Sequence, residues 1–151
     1  MNQLRRTLLK FSAAALAVGA GVLKSGAALA AVWNKAAFDS KAVADAVNNI
    51  RAANLVDSKD ITITAPDIAE NGAVVPIAVT SRIPNTQSIS IIAEKNPFPL
   101  SSTFDVANGA EGYVSIRIKM GETSNVRAVV KADGKFYTAV KEVKITIGGC
   151  G

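Results

Sequence analysis

Val126-Arg127-Ala128-Val129-Val130-Lys131-Ala132-Asp133-Gly134-Lys135-Phe136-Tyr137-Thr138-Ala139-Val140 decides the fold class. Two runs rich in β-branched and aromatic residues flank Asp133-Gly134, a pair that accepts positive φ. That arrangement predicts a hairpin with a two-residue turn. Val126, Ala128 and Val130 share one parity before the turn, as a strand with one buried face requires.

Upstream, the same period of two recurs from Asp60 onward. Ile61 and Ile63 alternate with Thr62 and Thr64. Val75, Ile77 and Val79 line one face of the next run, and Ile89, Ile91 and Ala93 line another. Val114, Ile116, Ile118 and Met120 alternate with Ser115, Arg117 and Lys119. Strands at this spacing, punctuated by turns at Asn71-Gly72 and Asn108-Gly109, predict a small sandwich over residues 60–147. Pro76 inside a strand pattern predicts an edge or a bulge. Asn96-Pro97-Phe98-Pro99 predicts a loop, because two prolines remove two ladder donors.

Before the strands, Val43, Val47 and Ile50 form a helical stripe that Asn54 extends in register. The spacing predicts one helix over residues 39–54, with Asp39 or Ser40 as its cap. Downstream of the hairpin the parity changes. Phe136, Thr138 and Val140 share one phase and Val143, Ile145 and Ile147 the other, which predicts a bulge near Lys141-Glu142.

The chain begins with a leader. Arg5, Arg6 and Lys10 precede an uncharged apolar run from Phe11 to Leu23, and Ala28-Leu29-Ala30 fits a small-residue cleavage site. The run is too short and too rich in Ala and Gly to span a bilayer well. Residues 1–30 are therefore expected to be a cleaved export signal. Arg5-Arg6 followed by Thr7-Leu8-Leu9-Lys10 resembles a twin-arginine signal. Leu4 and Leu8 depart from its usual pattern, and an ordinary Sec signal is the alternative.

Four of the 17 Lys and Arg, and none of the 12 acids, lie in that leader. The formal charge of +5 thus belongs to the precursor. A near-neutral mature domain has no electrostatic case for binding nucleic acid or an anionic membrane. The chain has no His, which removes His-based triads, His metal ligands and haem attachment through a Cys-x-x-Cys-His motif. It has one Cys, so it holds no internal disulfide and no cysteine-rich metal site. Neither a cofactor nor a metal is expected.

That Cys closes the chain as Gly148-Gly149-Cys150-Gly151. Glycines on both sides leave the backbone free and the thiol without a steric collar. Catalysis needs fixed geometry, so this is a poor active site but a good substrate handle. The local sequence places no cation or helix start beside the thiol to activate it, and a carboxylate one residue on is expected to disfavour a second negative charge. The thiol is expected to be sluggish until a receiving enzyme activates it.

The C-terminal Gly148-Gly149-Cys150-Gly151 resembles the arm of SoxY, the sulfur-carrier subunit of periplasmic thiosulfate oxidation. Pro66-Asp67-Ile68-Ala69-Glu70-Asn71-Gly72 with Val75-Pro76 is similar to the same family, as are Glu94-Lys95-Asn96-Pro97-Phe98-Pro99, Arg117-Ile118-Lys119-Met120 and the hairpin at Asp133-Gly134. The resemblance covers roughly residues 38–151. The family's arm usually ends Gly-Gly-Cys-Gly-Gly, and here Gly151 alone follows the Cys.

The resemblance implies an all-β, immunoglobulin-like sandwich (31–147) with one N-terminal helix and a flexible carrier arm (148–151). It implies that Cys150 is the covalent sulfur attachment, with Gly148, Gly149 and Gly151 as the arm, and that the protein is a carrier without a catalytic residue of its own. The implied partners are a SoxZ-like subunit in a heterodimer and, transiently, the SoxXA cytochrome, the SoxB hydrolase and, where present, a sulfane dehydrogenase. The implied location is the periplasm. Folded export through the twin-arginine route would let a signal-less partner travel with the chain.

Two other classes compete. An exported interaction module could dimerise through Cys150 or dock by strand addition, but it gains nothing from glycines around the thiol. A thiol enzyme needs a low-pKa Cys and usually a resolving partner, and this chain has no second Cys and no His.

Overall fold

The computed structural model describes residues 33–107 and 109–146. Residues 1–32, which hold the expected leader with Ala28-Leu29-Ala30, Asn108, and the segment 147–151 with Gly148, Gly149, Cys150 and Gly151 lie outside the described residues. The described elements run α1 (Lys35–Phe38), α2 (Val43–Asn49), β1 (Val56–Asp57), β2 (Ile61–Thr64), β3 (Ile68–Ala69), β4 (Val75–Ser81), β5 (Thr86–Ala93), β6 (Leu100–Asp105), β7 (Tyr113–Ile118), β8 (Ser124–Ala132) and β9 (Lys135–Ile145).

Asp133 and Gly134 take φ values of 48° and 74°, the two positive angles of a type I′ hairpin turn. From that turn β8 and β9 zip together from Ala132↔Lys135 to Ser124↔Val143. They form the centre of a large sheet ordered β1-β9-β8-β5-β6, with β3 also on β9. A smaller sheet, β2-β4-β7, packs against it. This is an all-β sandwich.

The sandwich core follows the parity of the sequence. Val75, Ile77 and Val79 from the small sheet meet Ile89, Ile91, Val126, Ala128, Val130 and Val143 from the large one. Each Val or Ile among them stabilises the fold by about 1.5–3 kcal/mol on full burial. The opposite parity of the large sheet is also buried. Ile92, Leu100 and Val129 pack under Ala37, Ala46 and Ala52 of the helical segment.

That second covered face explains why the bulge expected near Lys141-Glu142 is not found. The β8–β9 register runs unbroken through both residues. Phe136 packs on the helical side, while Tyr137, Ala139, Val143 and Ile145 pack between the sheets. The parity changes because β9 starts with both faces covered, not because the strand slips. Lys141 falls at a position of the inter-sheet parity. Its stem lies along the sheet and its ammonium leaves the core, donating to the Ala65 carbonyl at 2.7 Å and pairing with Asp67 at 3.0 Å.

The single helix expected over 39–54 is shorter, Val43–Asn49, and a second short helix, Lys35–Phe38, precedes the expected range. Asn34 caps α1, its Oδ1 accepting from the Ala37 amide. Neither Asp39 nor Ser40 caps α2, whose N-cap is Ala42 without a side-chain bond. Ser40 instead donates to the Ala36 carbonyl at 2.8 Å and accepts from Asn49 Nδ2 at 3.0 Å, pinning the two helices together. Arg51 and Asn54 sit at positive φ, which stops the helix early.

A turn expectation at Gly72 and a strand expectation at Pro76 are met in modified form. Gly109 takes φ 84°, but Gly72 does not sit at positive φ. Gly72 is required by close approach, since a Cβ there would lie 2.4 Å from the Met120 carbonyl oxygen. Pro76 is in the middle strand of the small sheet, yet β2 ends at Thr64 opposite Ala78. At Pro76 the ladder continues only toward β7, where it faces Arg117, so the missing donor is tolerated as at an edge.

Candidate functional site: the root of the C-terminal segment

β9 is the strand that carries the chain toward Cys150, so the site is built on the way its last residues are held. Its partner on one side is β8. On the other side two short parallel strands share its edge: β1 pairs at Tyr137 and Thr138, and β3 pairs at Lys144 and Ile145. Ile68-Ala69, inside the Pro66–Gly72 segment, is thus a short strand that clamps the end of β9.

Three consecutive amides are anchored. Lys144 donates to the Asp67 carbonyl at 3.0 Å, and Thr146 donates to the Ala69 carbonyl at 3.2 Å. Between them, Ile145 points the other way and donates to Thr123 Oγ1 at 2.9 Å. Each bond contributes about 1 kcal/mol net. Together they hold the strand end through Thr146, the last described residue.

The surrounding loops are tied to the same point. Met120 donates to the Gly72 carbonyl at 2.7 Å, and a Cβ on Gly72 would lie 3.1 Å from Ile145 Cγ2. Asn71 Oδ1 accepts from the Ala73 amide at 2.9 Å, closing a local Asx-type turn. Asn96 bridges to the β7–β8 connection, donating to the Lys119 carbonyl at 2.7 Å and accepting from the Gly121 amide at 3.3 Å. The Lys95 amide donates to Ser124 Oγ at 3.0 Å.

Glu94 completes the tie. Arg127 Nε and Nη2 both reach Glu94 Oε1, at 2.8 and 2.7 Å, and Asn125 Nδ2 donates to Oε2 at 3.1 Å. Such a charge-assisted fork holds the start of the Lys95–Pro99 loop on β8. Pro99 is fully buried, whereas Phe98 is 53% exposed.

The sequence placed Arg117 and Lys119 on a solvated strand face, and both are exposed. It marked Asp67 and Ala69 only as part of a family-like stretch, without a role for their carbonyls, and did not point to Thr123. Thr123, a hydroxyl residue immediately ahead of β8, was the available signal. Among the described residues no three His, Cys, Asp or Glu side chains could hold a metal ion. Among those residues, also, no helix is long and apolar enough to cross a membrane.

The all-β sandwich clamps the last described residues of its final strand, and in the sequence they are followed by a glycine-bracketed Cys. The family model described as sulfur oxidation protein SoxY matches residues 47–150. The chain belongs to the SoxY family. It is 42% identical to the solved sulfur carrier protein SoxY from Chlorobium limicola f thiosulfatophilum, over 69% of this chain and 96% of that one, with a TM-score of 0.61. The human F-spondin reeler domain is a looser likeness, at 10% identity over 64% of this chain and 96% of that one, with a TM-score of 0.45. No curated protein sequence matches the chain.

Proposed function

We propose that this chain is a periplasmic carrier that holds the intermediates of thiosulfate oxidation covalently on Cys150 and presents them to the enzymes of the system. The observation that supports this most is the family match, which extends to residue 150, together with the solved relative named as a sulfur carrier. Cys150 is the attachment atom. Gly148, Gly149 and Gly151 are the arm, and the anchored amides of Lys144, Ile145 and Thr146 are its fixed base.

The chemistry balances as follows. The Cys150 thiol loses its proton, and its sulfur bonds to the outer sulfur of thiosulfate. An electron pair leaves to a c-type cytochrome, the SoxXA class. The product is a thiosulfonate on the carrier. Water then attacks the terminal sulfur in a SoxB-type hydrolase. Sulfate and a proton depart and a persulfide stays on Cys150. A sulfane dehydrogenase, with water as oxygen source and its own electron acceptor, raises the outer sulfur to the sulfonate level. A second hydrolysis releases sulfate and restores the thiol. The carrier supplies no catalytic group in any of these steps.

A SoxZ-like subunit is the stable partner in this reading, and export with that partner through the twin-arginine route accounts for the paired Arg5-Arg6. In a reconstituted system of cytochrome, hydrolase and the carrier complex, Cys150→Ser is expected to abolish thiosulfate-dependent cytochrome reduction while leaving the native mass of the complex intact. Continued turnover with Cys150→Ser would exclude the carrier role.

A further inference from the structure

Phe98 is a large aromatic side chain that the fold displays and does not bury. It lies 53% exposed between Pro97 and Pro99. The loop around it is held firmly. The prolines fix φ on both sides, Pro99 is fully buried, the Ala93 amide donates to the Pro99 carbonyl at 2.9 Å, and Asn96 bonds across to Lys119 and Gly121. An aromatic held this way loses little entropy on being covered, which is what an interface anchor requires.

Phe98 shares a pole with the root of the arm. Its loop is tied to the β7–β8 connection, and Thr123 of that connection holds the Ile145 amide. Val74, 50% exposed, is two residues from Gly72, which packs against Ile145.

The length of chain beyond that pole says what must cover it. Cys150 is four residues past Thr146, a reach of at most about 14 Å at roughly 3.5 Å per residue. Active sites are concave pockets. A thiol delivered on so short a tether brings the surface around its root against the mouth of the receiving site.

We infer that Phe98, with Val74, is the anchor by which arm-receiving enzymes dock on this chain. The occupant is an enzyme whose thiol-accepting site lies no deeper than the arm's reach and whose mouth carries an apolar recess. This inference rests on the carrier reading above, and the test separates the two.

The experiment uses the mature chain in complex with its partner subunit and the purified thiosulfate-oxidising cytochrome from the same cells. Carrier concentration is varied, and thiosulfate-dependent cytochrome reduction is followed. Turnover with the natural chain supports the carrier reading, and its absence overturns both. With Phe98→Ala, the KM for the carrier is expected to rise about tenfold, a loss of about 1.4 kcal/mol, with kcat within about twofold. Phe98→Leu should recover most of that loss. Tyr113→Ala, which removes an equally exposed aromatic at the opposite pole, should change neither constant. An unchanged KM for Phe98→Ala would overturn the inference. So would a native mass showing that Phe98→Ala releases the partner subunit or a second copy of the chain, because the pole would then be a subunit interface.

Discussion

The amide of Ile145 donates to the hydroxyl of Thr123 at 2.9 Å, and this bond joins the β7–β8 connection to the end of β9, the strand that precedes Cys150 in the chain. On either side of Ile145 the amides of Lys144 and Thr146 face the other way, to Asp67 and Ala69. The end of β9 is therefore held from both edges at once. Thr123→Val keeps the shape of the side chain and removes the acceptor. It should cost about 1–3 kcal/mol, the range for leaving a part-buried donor unpaired. It should also speed hydrogen exchange at Ile145 relative to the centre of β9. Exchange mass spectrometry of the C-terminal peptide reads both.

Gly72 and Gly121 make a matched pair for testing the close approach beneath the root. A Cβ on Gly72 would lie 2.4 Å from the Met120 carbonyl oxygen, whereas one on Gly121 meets nothing within 4 Å. Gly72→Ala must push backbone from backbone and is expected to cost about 2–4 kcal/mol. Gly121→Ala should stay within about 0.5 kcal/mol of the natural chain. Urea midpoints of the two variants decide this. Equal midpoints would mean that the contact between the Gly72 and Met120 segments relaxes freely.

Gly134 tests the hairpin from which the large sheet grows. At φ 74° an L side chain is strained even though the space around it is open. Gly134→Ala should destabilise the fold by about 1–2 kcal/mol, seen as a lowered thermal midpoint. Gly134→Asn, with a side chain that tolerates this conformation, should lose less.

Much of this architecture was legible because it is local. Asp133-Gly134 names its own turn, and the parity of Val75-Ile77-Val79 and Val126-Ala128-Val130 names the buried face without any partner in view. What failed was what depended on a second layer. The parity change in β9 looked like a bulge because nothing in the sequence says that Phe136 is covered by α1 and α2. The helix looked continuous because Val43, Val47 and Ile50 keep their spacing right up to Arg51, where the left-handed backbone ends it. Of the site, Cys150 and its glycines stand out by composition alone. Their clamp does not, because it is made of backbone carbonyls at Asp67 and Ala69 and one hydroxyl at Thr123, all far away in the chain.

The central claim is that sulfur intermediates ride on Cys150, and the most direct measurement is the intact mass of the mature protein isolated without reductant from thiosulfate-consuming cells. The account predicts reducible mass additions corresponding to sulfane sulfur, sulfonate or thiosulfonate. They should map to the peptide containing Cys150 and be absent from Cys150→Ser. A bare thiol or a simple disulfide dimer, under conditions where thiosulfate is being consumed, would contradict it and leave an interaction module joined through its Cys.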